Sequence, residues 1–136
     1  MDWRLFKSTG TLHYGTGNAG LKLIVDVDSE ISSFYRSLVP KYYNIKKPLY
    51  KSHISVVRKI APPNMSRWGE YEGECVTFYY DGMIQFNQTY FWINIFSLQL
   101  EKIRLELGLS IEEHYITPPI PFLKTFHMTI GNLKRR

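Results

Sequence analysis

Two segments of the chain carry the same polar pattern at equivalent places in two similar runs of elements. The segments are PLYKSHISVV, which contains His53, and PFLKTFHMTI, which contains His127 and lies 74 residues further on. Each has a proline, an apolar residue and a lysine, followed by a histidine, an apolar residue, a hydroxyl residue and an apolar residue. A weak duplication of this kind is too short for a solenoid array, so it favours a pseudo-twofold pair of lobes.

The hydrophobic pattern around these segments predicts strand, helix and strand in each half of the chain. The predicted elements are, in chain order, a strand over residues 21–27, a helix over 30–39, strands over 52–59, 74–80, 83–86 and 90–96, a helix over 97–107 and a strand over 125–131. Asp28 and Ser29 are the candidate N-caps of the first helix, and Gly108 ends the second. The Asp81-Gly82 pair predicts a hairpin turn.

Two segments predict irregular structure. Residues 7–20 hold four of the nine glycines among small polar residues, so we expect an irregular, mobile opening segment. Residues 61–73 hold two prolines and two glycines and predict a loop. The expected fold class is α+β, a single domain over residues 1–136 with one lobe at about 20–60 and the other at about 88–132.

Side chains of a strand alternate between its two faces, which brings the polar residues of each duplicated segment together. His53 and Ser55 project to one side, and His127 and Thr129 do the same in the second copy. One such strand alone indicates an ordinary half-buried histidine. Two copies at equivalent places favour a functional pair whose polar faces meet across one central cleft.

Composition restricts the classes of function only slightly. Seventeen basic and twelve acidic residues leave a net charge of +5, which favours phosphate-bearing partners but is less extreme than in ribosomal or histone-like proteins. Cys75 is the only cysteine, so an intramolecular disulfide is excluded and a reducing cytosol is expected. The sequence has no membrane span, no signal peptide and no metal-ligand spacing, so we expect a cytosolic protein with no cofactor.

With these motifs, the chain resembles the two-histidine (2H) phosphoesterase superfamily, which includes LigT-like RNA cyclic phosphodiesterases and viral 2′,5′-phosphodiesterases. The resemblance rests on His53-Ile-Ser55-Val and His127-Met-Thr129-Ile in a bilobal pattern over about residues 20–132. It implies a metal-independent phosphodiesterase in which one histidine accepts a proton and the other donates one. Ser55 and Thr129 would then hold the non-bridging phosphate oxygens. Which histidine is the base stays open.

Within this superfamily, the segments TGTLHYGTGNAG and FYRSLVPKYYNIKKPLYKSHISVV look similar to phage anti-CBASS phosphodiesterases. That resemblance implies a hydrolase that degrades cyclic oligonucleotide immune signals in the host cytoplasm, by attack of a ribose 2′-hydroxyl on a 3′,5′ linkage. Two alternatives remain: an RNA 2′,3′-cyclic-phosphate or 2′,5′-oligoadenylate phosphodiesterase, and a noncatalytic RNA- or nucleotide-binding module. The oligomeric state stays open.

Four further residues are candidates for substrate binding, each with a structural alternative. Lys51 and Lys124 precede the two histidines and could steer phosphate, or could be solvated. Tyr14 and Trp68 could stack on a base, or could pack against a lobe. Arg58 lies on the face opposite His53 in a regular strand, so a bulge would be needed to bring it to the site. His13 and His114 are weaker candidates, and His114 is expected to be solvated.

Overall fold

A computed structural model describes residues 5–17, 20–58, 60–110 and 126–134. Its elements are β1 (Phe6–Gly17), β2 (Gly20–Asp26), α1 (Ser29–Leu38), a short 3-10 helix (Lys41–Tyr43), β3 (His53–Arg58), β4 (Cys75–Phe86), β5 (Tyr90–Phe96), α2 (Leu98–Glu106) and β6 (Phe126–Asn132). The expected α+β class is confirmed. No helix in these ranges is long and apolar enough to cross a membrane.

The strands of these ranges close into one antiparallel barrel in the order β1-β2-β3-β6-β5-β4. The chain passes twice through the series strand, strand, helix, strand, first as β1-β2-α1-β3 and then as β4-β5-α2-β6. The two series meet where β3 pairs with β6 and where β1 pairs with β4. This order agrees with the duplication predicted from the sequence.

Both helices begin at a side-chain cap, and the cap of the first helix, Asp28, is one of the two candidates from the sequence. Asp28 accepts a hydrogen bond from the backbone N–H of Glu30 at 2.8 Å, and Ser97 accepts one from Leu100 at 3.3 Å. Such side-chain acceptors satisfy N–H groups that have no partner within the helix. Gly108 follows α2 with a φ of +76°, the left-handed conformation that commonly ends a helix.

The opening segment is a strand, so the expectation of an irregular, mobile stretch over residues 7–20 is wrong. β1 pairs with β2 along one edge and with β4 along the other. One of its glycines is required by close packing, because a Cβ at Gly10 would lie 2.6 Å from the carbonyl oxygen of Asp26. The sequence pattern missed β1 because glycine and small polar residues have low strand propensity, whereas pairing on both edges is a long-range effect.

The hairpin expected at Asp81-Gly82 is also wrong. β4 runs through these residues as one strand, with a register irregularity between Tyr80 and Ile84. The left-handed φ of Gly82, +74°, serves this irregularity instead of a turn. The chain reverses later, where Asn87 accepts hydrogen bonds from the backbone N–H groups of Thr89 and Tyr90.

The apolar core lies on one face of the sheet and against the helices. Alternate strand residues are fully buried there, among them Leu23, Val25, Ile54 and Met128, together with Leu100 of α2. The opposite face of the same strands carries the residues between them, which are more polar and partly exposed. The fold therefore separates a packed face from a polar one, as strand periodicity requires.

Each histidine strand contains a β-bulge three residues after its histidine. The pairing of β2 with β3 steps from Ile24–Ser55 to Leu23–Val57, so Val56 is the extra residue. The pairing of β5 with β6 steps in the same way over Ile130. A bulge leaves the extra residue unpaired and reverses the face to which the following side chains point.

An arginine from the helix of the other series binds the carbonyl of each bulge. Arg104 of α2 donates from Nη1 to the Val56 oxygen at 2.6 Å, and Arg36 of α1 donates from Nη1 to the Ile130 oxygen at 2.9 Å. Arg104 is 1% exposed and also donates to the backbone oxygen of Ser110. These crossed contacts hold the two series together and supply partners for carbonyls outside the regular ladder.

We expect Arg104→Met to lower the free energy of unfolding by about 2 kcal/mol, because the substitution leaves buried carbonyl oxygens without donors. Lys102→Met is the matched control, since Lys102 is exposed on the same helix and its loss should change stability by less than about 0.5 kcal/mol. Urea unfolding of both variants measures the difference. Equal stability of the two variants would contradict a structural role for the Arg104 contact.

Candidate active site

The two histidine strands are neighbours in the barrel. Ile54 of β3 pairs with Met128 of β6 in an antiparallel register. That register sets each histidine across from the hydroxyl residue of the other strand, His53 across from Thr129 and His127 across from Ser55. Facing Cβ atoms in such a pair lie about 5 Å apart. The four side chains thus share one partly exposed surface, the polar side of the sheet, which we call the histidine face.

The ring of His53 is held by a backbone group just before the start of β3. Its Nδ1 atom lies 2.7 Å from the backbone oxygen of Lys51. A carbonyl oxygen can only accept, so Nδ1 carries the proton and donates it. Nε2 therefore carries the free lone pair of the neutral ring, and it is the nitrogen that can accept a proton. Lys51 acts here through its backbone, and its side chain is exposed.

His127 lies in a different environment. Burial, followed by the positive charge of Arg58 and the neighbouring His53, lowers the pKa of His127 from 6.5 to about 4. Its ring lies edge-on to Trp92, with 6.4 Å between ring centroids. At neutral pH the His127 imidazole is therefore uncharged, and a neutral imidazole can accept a proton.

The cross-strand neighbours of the two histidines also differ. His53 pairs with Asp26 of β2, and His127 pairs with Asn94 of β5. An aspartate carries a negative charge, whereas an amide has no net charge. The two histidines hold equivalent places in the two series, but one has a carboxylate and the other an amide as its cross-strand partner.

Asp26 is itself held by a second histidine on the same face. His13 of β1 lies with Nε2 3.1 Å from Asp26 Oδ2 and with Nδ1 2.7 Å from Glu72 Oε2. A hydrogen bond from the backbone N–H of Tyr14, followed by the contact with His13, lowers the pKa of Glu72. His13 thus joins the site as a residue that orients the carboxylate beside His53.

Asn94 brings an unused hydrogen-bond donor to the histidine face. The residue is 2% exposed, and its Oδ1 accepts from the indole N–H of Trp92 at 3.3 Å. Because an indole nitrogen only donates, this contact fixes which end of the amide is oxygen. Nδ2 has no hydrogen-bond partner in the part of the chain that the structure describes. A buried N–H₂ group without an acceptor is costly, so its position next to His127 is a feature of the site.

Arg58 lies on the histidine face, in contrast to the sequence expectation for a regular strand. The bulge at Val56 shifts the alternation, so Arg58 pairs with Lys22 on the same side of the sheet as the pair Ile24–Ser55. The influence of Arg58 on the pKa of His127 agrees with this placement. The sequence analysis expected that Arg58 would need a bulge to reach the side of His53, and the structure has this bulge at Val56.

The aromatic candidates lie elsewhere. Tyr14 pairs with the buried Leu23, so alternation sets its side chain on the core side of β1, away from His53. Tyr14 and Trp68 pack against each other edge to face, with ring centroids 4.9 Å apart. The structure brings these two residues together but not to the histidine face. Lys124 and His114 lie outside the described residues.

Sequence reasoning missed Asp26, Asn94 and Trp92. A signal for the first two was present, because each is a polar residue within a largely apolar strand, LKLIVDV, which also contains Lys22, and YFWINIF. Such a residue must find a polar partner when it is buried. Its partner could not be identified without the register between strands.

Comparisons of this chain with protein-family models, with curated proteins and with solved structures give no match. Within the described ranges, no group of three or more histidine, cysteine, aspartate or glutamate residues is arranged to hold a metal ion.

The lowered pKa of His127 predicts a specific loss of stability in acid. The unfolded chain binds a proton on this residue near pH 6.5, whereas the folded chain binds it only near pH 4. Stability is thus complete above about pH 6.5 and falls as the pH drops toward 4. Between about pH 7.5 and about pH 5, this group alone should remove about 2 kcal/mol from the free energy of unfolding.

Urea unfolding of the wild type and of His127→Asn at both pH values isolates this contribution, because all other titrating groups are shared. We expect the wild type to lose more stability than the variant by the stated amount. An identical loss in both proteins would mean that His127 titrates normally.

Proposed function

We propose that this chain is a metal-independent phosphodiesterase of the two-histidine type that cleaves the 3′,5′ linkages of cyclic oligonucleotides. The observation that carries the proposal is the pair of imidazoles on adjacent strands in unequal surroundings, one beside a carboxylate and one buried near a cation. A phosphodiester needs one group to accept a proton and another to donate one, and these surroundings separate the two tasks.

His127 is the base in this proposal. Its neutral imidazole removes the proton from a ribose 2′-hydroxyl, whose oxygen attacks the adjacent phosphorus. The phosphorus–O5′ bond breaks, and the product carries a 2′,3′-cyclic phosphate. A water molecule can open that ring in a second step with the proton transfers reversed.

His53 is the acid. Its Nδ1–H donates to the Lys51 carbonyl, and Asp26 stands opposite as a negative neighbour. In the proposed step, the Nε2–H of the imidazolium form of His53 protonates the departing O5′. His13 acts as a positioning residue, because it holds the carboxylate of Asp26.

Three residues can direct a donor at the negative charge on the non-bridging oxygens. Ser55 and Thr129 lie across from the two histidines, and each hydroxyl group can donate its proton to a phosphate oxygen. Asn94 adds the N–H₂ group that has no acceptor among the described residues. Donors that are already in place when charge develops lower the barrier more than donors that must reorganise.

The two series of strands correspond, in this proposal, to two lobes around a cleft that runs along the β3–β6 boundary. The net charge of +5 suits a substrate with several phosphates. Cyclic oligonucleotide signals of CBASS immunity meet that description, so the proposed biological role is a phage protein that degrades them in the host cytoplasm. The alternative substrates for the same residues are RNA 2′,3′-cyclic phosphates and 2′,5′-oligoadenylates.

Substitution of either histidine tests the catalytic assignment. We expect His53→Ala and His127→Ala each to lower kcat by about 10²- to 10⁴-fold with binding retained, because each removes one proton-transfer group. The assay is hydrolysis of a panel of cyclic dinucleotides and trinucleotides, 2′,3′-cyclic phosphates and 2′,5′-oligomers, with product analysis and with excess EDTA as a control. A wild type that binds but cleaves none of them is a noncatalytic module, and activity abolished by EDTA would refute the metal-free reaction.

The assignment of His127 as the base predicts the acid limb of the pH profile. We expect kcat/KM to fall only near pH 4, where His127 becomes protonated. Asn94→Asp keeps an acceptor for Trp92 but adds a negative charge beside His127, so the acid limb should move to higher pH.

Gln88→Glu is the matched control, because it makes the same amide-to-carboxylate change in the turn between β4 and β5. Its acid limb should stay where it is in the wild type. If the limb lies near pH 6.5 in all three proteins, His127 is not the base.

A further inference from the structure

Two positive side chains stand directly opposite each other on the histidine face. Lys22 of β2 pairs with Arg58 of β3, beyond the bulge at Val56, and both side chains are exposed. Neither forms a salt bridge with an acidic residue within the described ranges. Like charges at facing positions of a sheet are destabilising. The presence of both charges at one point of the histidine face therefore requires a physical explanation.

The neighbouring residues explain why Lys22 and Arg58 both lie on the histidine face. Lys22 pairs with Gly15 of β1, which carries no side chain that could bind the lysine. Arg58 reaches this face only because the bulge reverses the alternation of β3. An anion between the two side chains would offset their repulsion, and the planar guanidinium suits a phosphate in particular.

The position of the pair differs from that of the reacting phosphate. Lys22 is two residues along β2 from Ile24, the partner of Ser55, which corresponds to about 7 Å of strand. The pair lies beyond Ser55 and His127 and away from His53. The carboxylates of the face stand at the opposite end, where Asp26 pairs with His53 and contacts His13. The charge on this face is thus negative at one end and positive at the other.

We propose that Lys22 and Arg58 form a subsite for a second phosphate, the 5′-phosphate of the nucleoside whose 2′-hydroxyl attacks. This inference rests on the proposed function, since it takes His127 as the base. The base stands next to the attacking hydroxyl, so the nucleoside on the Arg58 side is the one that carries this hydroxyl. Its own 5′-phosphate then extends toward the cationic pair.

The subsite defines a class of substrate. Every nucleoside of a cyclic 3′,5′-oligonucleotide carries a 5′-phosphate, and so does an internal residue of a longer strand. A nucleoside 2′,3′-cyclic monophosphate and the first residue of an unphosphorylated oligomer carry none. The pair therefore favours cyclic or 5′-phosphorylated substrates over the simplest RNA-end substrates.

The test uses two linear 3′,5′-diribonucleotides that differ only in a 5′-phosphate, together with a cyclic dinucleotide. In the wild type, we expect kcat/KM for the 5′-phosphorylated form to exceed that for the unphosphorylated form. Lys22→Gln and Arg58→Gln should each reduce this ratio by about tenfold, and the double variant by about a hundredfold, as loss of charge-assisted contacts implies. A ratio cancels any effect of Arg58 on His127 that both substrates share.

Lys102→Gln is the control, because it removes a positive charge from the exposed side of α2, and it should leave the ratio unchanged. A ratio near one in the wild type, or a ratio unaffected by the double variant, overturns the subsite while the catalytic proposal stands. If the wild type cleaves none of these substrates, the catalytic proposal fails, and calorimetric binding of the same diribonucleotide pair to His127→Ala decides the subsite. Equal affinity for the two forms refutes it, and weaker binding of the unphosphorylated form supports it.

Discussion

The hydrogen bond from Arg104 to the Val56 carbonyl connects the fold to the site. The extra residue of a bulge leaves its carbonyl outside the regular ladder, and burial without a donor would make that bulge costly. Arg104 supplies the donor from the second series of strands, although it lies 48 residues further along the chain. Because the bulge is stable, Arg58 points to the histidine face. A helix residue on the core side thus determines which charged side chains lie on the histidine face.

The two series are similar in backbone and different in the residues that they place on the histidine face. Arg36 repeats the Arg104 contact at Ile130, so both histidine strands have a bulge at the same offset. The residue that follows the second bulge at the place of Arg58 is Asn132, which is 4% exposed and bonded to backbone atoms of Lys47 and Lys134. The similar backbones of the two series therefore place two imidazoles at equivalent positions. The side chains around these imidazoles differ in charge.

The sequence predicts most elements and the shared histidine face, but it does not predict how the strands pair. Apolar alternation and the cap Asp28 are local signals, and the alternation identifies both helices and the strands that carry His53 and His127. β1 has no such signal, because its glycines have low strand propensity and Gly10 fits a close approach to β2 that only the folded sheet creates. The bulge at Val56 depends in the same way on a distant arginine. Residues that act through strand register, such as Asn94, are accessible only after the register is known.

Neither series could form this site alone. Each provides one imidazole and one hydroxyl group to the boundary between β3 and β6, and each provides the arginine that stabilises the other's bulge. Loss of the α2 contact would disturb β3 of the first series, and with it the orientation of Arg58. Loss of the α1 contact would disturb β6, where burial keeps His127 neutral. The pKa of His127 and the position of Arg58 therefore depend on contacts between the two series. For this reason the duplicated strand pattern can indicate a shared site, whereas the roles of its residues require the folded structure.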